Sequence, residues 1–187
     1  MAIQREIGDR DGEATSLSNI GNLFREMGNY EESVEYNARS VEIMRDIGDP
    51  RGISQSLKNL AISYVEAGNY DEAMSSVDED LKISADIGVK SIEGASLWVK
   101  ASILRRKGEL EESERYFEDS MAILDSGEDI DRTALAKGLY EYALLFKELG
   151  RKEDADKSLR RALSMFESMG MNLWAENCRR TLKEVNA

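Results

Sequence analysis

A chain of 187 residues, 41% hydrophobic and 33% charged, can bury one sizeable core or an elongated core shared among repeats. Its formal net charge of −12 excludes a general affinity for nucleic acid or anionic membrane, since phosphate binding needs a basic footprint. The lack of any histidine excludes Ser-His, Cys-His and histidine–metal chemistry, and the single cysteine, Cys178, excludes an intramolecular disulfide.

One proline, and glycines placed mostly at turns, favour helix almost throughout. No run reaches the ~18 apolar residues of a membrane span and no charged-then-apolar leader opens the chain, so a cytoplasmic location without membrane contact is expected. Cys178, set among apolar helix positions, reads as a small buried hydrophobe in a reducing compartment.

The opening stretch, Ile3 to Asp9, is similar to Ile43–Asp49 and to Ile83–Gly88, where Ile-Gly ends a helix because glycine supplies the left-handed conformation. Residues 1–8 are therefore expected to be the end of a preceding repeat helix, and the sequence a fragment of a longer protein. In the first repeat, 11–48, Ala14, Leu17, Ile20, Gly21, Phe24 and Met27 recur at three- and four-residue spacing, one face of an amphipathic helix. After Gly28, Asn29 is expected to cap a second helix, with Glu32 completing a capping box, and Val34, Ala38, Val41, Ile43 and Ile47 inward.

The second repeat, 49–88, restarts at Asp49-Pro50, a cap followed by a first-turn proline. Leu57, Leu60, Ala61, Tyr64 and Ala67 line its first helix, and Ala73, Met74, Val77, Leu81 and Ile83 its second. The third repeat, 89–126, offers Leu97, Ala101, Leu104, Tyr116, Phe117, Met121 and Ile123. The fourth, 131–170, offers Leu139, Tyr142, Ala143, Phe146, Ala155, Leu159, Ala162, Leu163 and Met165. Residues 171–187 form one more helix, with Leu173, Trp174, Cys178 and Leu182 inward, expected to cap the last repeat. No segment has the composition of an inter-domain linker, so 1–187 is read as a single domain.

The turn Gly28-Asn29-Tyr30-Glu31-Glu32-Ser33 returns as Gly68-Asn69-Tyr70-Asp71-Glu72-Ala73, and more loosely at Gly108 and Gly150, giving steps of 40, 40 and 42 residues. Self-similarity at such a period marks a repeat architecture, each unit being a helix, a tight turn and an antiparallel helix. These residues resemble tetratricopeptide repeats, helix–turn–helix units of 34 residues. The match runs through Leu17…Ile20-Gly21…Phe24, Leu57…Leu60-Ala61…Tyr64 and Leu139…Tyr142-Ala143…Phe146, with the Gly-x-Tyr-x-x-Ala/Ser turns. The longer period is similar to the roughly 40-residue subclass of Rapsyn, LGN and kinesin light chain, and the ending resembles the last repeats of long prokaryotic regulators. The fold implied is an all-α, right-handed superhelical α-solenoid of antiparallel helix pairs. Four positions depart from the pattern: Asp80, Lys100, Leu104 and Lys152.

No glycine-rich phosphate loop is present, and carboxylate pairs such as Glu31/Glu32 fall in first helical turns, where negative charge complements the dipole. No catalytic residue, no metal ligand, no cofactor and no enzymatic activity are therefore expected. The second helices are acidic and the first helices near neutral, that of the third repeat being basic through Lys100, Arg105, Arg106 and Lys107. The resemblance places the first helices on a concave groove and implies a protein–protein interaction scaffold binding a peptide there. Asn19, Asn22 and Asn59 are then expected to hydrogen-bond a peptide backbone, since an amide both donates and accepts. Arg25, Lys58, Trp98, Arg105, Tyr140 and Lys147 share that face and favour an acidic protein or peptide segment as partner, not nucleic acid. The family's carboxylate clamp is mostly missing, its positions holding Ser18, Ala95 and Val99. The alternative implied by the resemblance is a sensor or oligomerisation segment of a larger signalling NTPase, cyclase or transcription regulator.

Overall fold

Glycines and aspartates set the punctuation of this chain. In the computed structural model, which describes residues 8–126 and 131–187, glycines 48 and 88 stop their helices at φ of 74° and 71°. A side chain there would clash with its own backbone, so the left-handed stop falls to glycine. The remnant helix expected over residues 1–8 and the residues between the third and fourth repeats lie largely outside the described residues, at 1–7 and 127–130.

Among the described residues the regular structure is nine helices: α1 (Arg10–Glu26), α2 (Tyr30–Ile47), α3 (Pro50–Glu66), α4 (Tyr70–Ile87), α5 (Lys90–Lys107), α6 (Leu110–Ser126), α7 (Arg132–Glu148), α8 (Lys152–Ser168) and α9 (Asn172–Val185). They form the helix pairs of an all-α solenoid. None is long and apolar enough to cross a membrane. The chain sorts into two compact units, Met1–Ile92 and Glu93–Ala187.

Asp9, Asp49 and Asp131 each cap a helix with a carboxylate oxygen, Asp49 accepting from the amides of Arg51 and Gly52 ahead of a first-turn Pro50. Asn29, expected to act likewise, makes no side-chain cap. Its backbone amide instead donates to the Phe24 carbonyl at 2.9 Å, closing α1, and a neutral amide offers a weaker acceptor than a carboxylate.

In unit 1, Val41, Leu57 and Leu60 form a buried cluster on which Val34, Ala38, Ile53, Tyr64 and Ile83 pack. Small polar residues then bring the helices close. Ser40 donates to the Ala14 carbonyl at 2.9 Å, and in unit 2 the matching Ser120 donates to the Gly94 carbonyl at 2.7 Å. Gly21 leaves room for Asn37, whose amide nitrogen would lie 2.6 Å from an added Cβ. In unit 2, Phe117, Leu124, Leu145, Leu159 and Phe166 are the large buried side chains, and Trp174 stacks on Phe166 with centroids 5.4 Å apart. Helix α9 turns Ala175, Cys178, Thr181 and Val185 inward. Burial pushes the Cys178 thiol up to about 12, so it behaves as a hydrophobe.

Three apolar expectations fail. Met27 is 72% exposed because α1 ends one residue earlier, and Ile47 is 41% exposed at the last turn of α2. Leu173 is 54% exposed, because it lies two residues, or about 200°, around the helix from buried Ala175.

Candidate functional site

The first helices of unit 1, α1 and α3, present a row of amides and hydroxyls. Asn59 is half-buried and donates to Ser18 Oγ at 2.8 Å, tying α3 to α1. Ser18 donates to Asn37 Oδ1 at 3.1 Å, and Asn37 donates to Ser63 Oγ at 3.0 Å and to the Ser33 carbonyl at 3.1 Å. Ser63 returns the circuit to the Asn59 carbonyl at 2.9 Å. This loop of hydrogen bonds fixes Asn59 at the surface while leaving its Oδ1 facing the Gln55 amide at 3.3 Å.

Asn19 is exposed, and its side chain makes no hydrogen bond with another described residue. Asn22 is half-buried, with only a long 3.5 Å contact from Arg25 to its Oδ1. Arg25 keeps a buried Nε without a hydrogen-bond partner, and burial lowers its pKa against the opposing field of Glu66 and Glu26. The structure thus ties Asn22 to Arg25, and Asn59 to Ser18, which precedes Asn19 on α1.

The other sequence candidates are engaged internally. Lys58 is buried, its amine 2.9 Å from Ser54 Oγ and 3.7 Å from the fully buried carboxylate of Asp80, which also accepts from Ser54. Asp80 stands at the position that Ser40 and Ser120 occupy in neighbouring pairs, so the departure from the repeat pattern is answered by a cation on the facing helix. Arg105 is buried between Glu141 at 3.0 Å and Glu148 at 2.5 Å. Burial opposes its charge, but those two carboxylates raise its pKa overall. Tyr140 is buried against the edge of Trp174, centroids 5.6 Å apart, and burial raises its hydroxyl pKa despite a hydrogen bond with Thr181. Lys147 is exposed but reaches Glu184 at 2.6 Å. Trp98 is 8% exposed, packed beside Gly138, and its buried Nε1 finds no hydrogen-bond partner among the described residues.

The positional logic is plain once the repeats are superimposed by helix start. Asn19 and Asn59 correspond to Val99 and Glu141 in unit 2, so the amide row stops where Glu141 begins to pair with Arg105. Gln55 joins the row without having been singled out by sequence, although its place four residues before Asn59 puts it on the same helical face. Among the described residues no group of three or more acidic or thiol side chains is placed to hold a metal ion.

Comparison with known proteins gives the arrangement its context. Residues 1–79 and 93–168 match the family model described as tetratricopeptide repeat. No curated protein sequence matches. Among solved structures, the chain is similar to a kinesin-light-chain-type protein of Podosopora anserina with nearly identical TPR-like repeats, at 16% identity and a TM-score of 0.64, covering 95% of this chain and 96% of that one. A signal transduction ATPase with numerous domains and a tetratricopeptide repeat sensor, from Pyrococcus horikoshii, matches at 20% identity and a TM-score of 0.63. That match covers 94% of this chain but only 26% of the ATPase. The TPR domain of Arabidopsis FLU matches at 20% identity and a TM-score of 0.58, over 63% of this chain and 99% of that one. At these identities the structural likeness speaks for the fold alone. With the repeat model spanning most of the sequence, the chain belongs to the tetratricopeptide repeat family.

Proposed function

We propose that this chain is a non-catalytic interaction module whose α1–α3 face holds an extended segment of a partner protein through Asn19, Asn22, Arg25 and Asn59. Tetratricopeptide repeats generally mediate protein–protein contact. The observation that carries the more specific reading is the state of the unit 1 amides. Asn19 and Asn22 make little or no internal use of their hydrogen-bonding groups, while Asn59 is held in place by a circuit of buried hydroxyls. Amides whose donors and acceptors are little used internally, beside one held in place by a buried circuit, suit recognition of a peptide backbone, which needs both donors and acceptors. Arg25, a guanidinium on the same helix, biases the segment toward acidic side chains. Lys58, Trp98, Arg105, Tyr140 and Lys147 serve the frame in this reading, through the contacts they make within their own units.

The test is affinity capture from the native host, comparing the parent with Asn22→Ala/Asn59→Ala. The variant is expected to bind its principal partner about tenfold more weakly. Equal recovery by both would remove the binding role of this face.

A second reading is favoured by the likeness to the sensor repeats of the Pyrococcus ATPase, of which this chain spans only a fraction. Here the chain is the sensor or oligomerisation segment of a larger signalling NTPase, cyclase or transcription regulator. An effector module in the same reading frame supports it, and a stand-alone gene starting at Met1 rejects it.

A further inference from the structure

Unit 1 also carries a groove of about 260 Å³ lined by α2, α3 and α4. Its floor includes Val41, Leu60 and Tyr64, and Glu42 and Glu72 stand on its rim, beside the Arg45–Glu79 ion pair at 2.7 Å. Arg45 is the one cation among the lining residues and is already matched by Glu79, so Glu42 and Glu72 leave the rim negative.

Unit 2 carries aromatic rings at two positions that match lining residues of this groove. By helix position the lining residues Leu60 and Tyr64 correspond to Tyr142 and Phe146, while Phe117 corresponds to Asn37, which lies behind the groove and does not line it. Tyr142 is buried between the other two rings, its centroid 5.0 Å from Phe117 and 4.1 Å from Phe146. The guanidinium of Arg151 lies 4.5 Å from the Phe146 centroid, and the matching residue in unit 1 is Asn69. Unit 1 therefore has leucine in place of the added ring of Tyr142, and it keeps Tyr64 to stack against but has Asn69 in place of the cation that lies over the matching ring in unit 2.

We infer that the α2–α4 groove of unit 1 takes from a partner what unit 2 supplies itself: an aromatic side chain, carried on a basic segment whose lysines or arginines meet Glu42 and Glu72. The ring would add stacking on Tyr64 to the burial of apolar floor, and the rim would select the sign of the flanking charges. This site is separate from the α1–α3 face in position and opposite to it in charge preference.

The experiment is calorimetric titration of the full chain at low salt with two amidated pentapeptides, Lys-Arg-Phe-Arg-Lys and Glu-Glu-Phe-Glu-Glu. The basic peptide is expected to bind with a Kd of ~1 mM or tighter and the acidic one not to bind. Leu60→Tyr, which supplies the missing ring, and Ser75→Lys, which puts a cation at an exposed lining position, are each expected to weaken the basic peptide about tenfold. Asn22→Ala should leave it unchanged, so failure here is distinguishable from failure of the α1–α3 reading. Equal binding of both peptides, or loss of binding in Asn22→Ala, overturns the inference. So does no binding by the parent. If Leu60→Tyr does not fold, as judged by circular dichroism, Ser75→Lys decides, and undiminished binding in that variant also overturns it.

Discussion

At the eighth position of the second helix in its first pair, unit 1 places Asn37 and unit 2 places Phe117, both without solvent exposure, and the surroundings follow from that choice. Around Asn37 the neighbours are Ser18, Ser33 and Ser63, joined in hydrogen bonds of 2.7–3.1 Å. Phe117 instead stacks on Tyr142, which stacks in turn on Phe146. The first helices differ in the same sense: an amide row in unit 1, and in unit 2 the pairing of Arg105 with Glu141 and Glu148. Both are ways of closing the same helix–turn–helix stack. The aromatic and ionic version consumes its own functional groups, whereas the amide and hydroxyl version brings polar groups to the surface already oriented. For that reason we propose that unit 1, on both of its faces, does the binding.

The largest expected effect comes from removing the two eighth-position residues. Phe117→Ala empties the stack under Tyr142 and should cost about 3–5 kcal/mol, read as a lowered urea midpoint. Asn37→Ala removes a smaller group but strips partners from buried hydroxyls, and should cost about 1–3 kcal/mol. If the asparagine variant proves as damaging as the phenylalanine one, the hydroxyl circuit is a core in its own right and not a support for the surface amides.

This contrast explains how far the residues could be read in advance. Periodic apolar residues, Ile-Gly stops and the Gly-Asn-Tyr turns carry the fold, because they reflect local backbone geometry and helix faces that each repeat restates. The site was less legible. Asn19, Asn22, Arg25 and Asn59 share a face by helical spacing, and the structure ties Asn22 to Arg25 and Asn59 to Ser18, the neighbour of Asn19. Lys58 and Arg105 share the same spacing but are drawn inward by Asp80 and by Glu141 and Glu148. Those partners lie 22, 36 and 43 residues away in sequence, where periodicity is silent about pairing. The departure at Asp80 was visible as a broken pattern, but its answer, Lys58, stood on another helix.

Those two internal cations supply the next comparison. Lys58→Met removes the ammonium beside a carboxylate with no solvent exposure and should cost about 3 kcal/mol. Lys58→Met/Asp80→Ser, which restores the serine found at the matching positions, should recover most of that loss. Arg105→Met should cost about 1.5 kcal/mol, since Glu141 and Glu148 retain 13% and 41% of their side-chain exposure and water can take over part of the contact. Thermal unfolding of the four proteins orders these effects. A double variant no better than Lys58→Met would mean that Asp80 is held mainly by other contacts.

The smallest effect tests whether surface ion pairs follow the same division. Arg45–Glu79 in unit 1 and Asp125–Arg161 in unit 2 occupy matching positions with the charges exchanged. The hydrogen bond from Arg161 holds the Asp125 carboxyl below its ordinary value of 3.8. A carboxylate with a depressed folded pKa adds stability that is present above the unfolded value and lost as pH falls through the folded one. With both side chains nearly half exposed, solvent screens the pair, so Asp125→Asn should cost no more than about 0.5–1 kcal/mol at pH 7. That difference should vanish in 1 M salt, and it should shrink as pH falls below the ordinary carboxyl value of 3.8 and through the lower folded one. Asp125→Arg/Arg161→Glu, which gives unit 2 the polarity of unit 1, should fall within about 0.5 kcal/mol of the parent, while Asp125→Arg alone is worse than Asp125→Asn. A swapped protein markedly less stable than the parent would show that the sign of this pair is set by its surroundings in unit 2. The two pairs would then not be equivalent clamps, and the division between the units would reach the surface as well as the core.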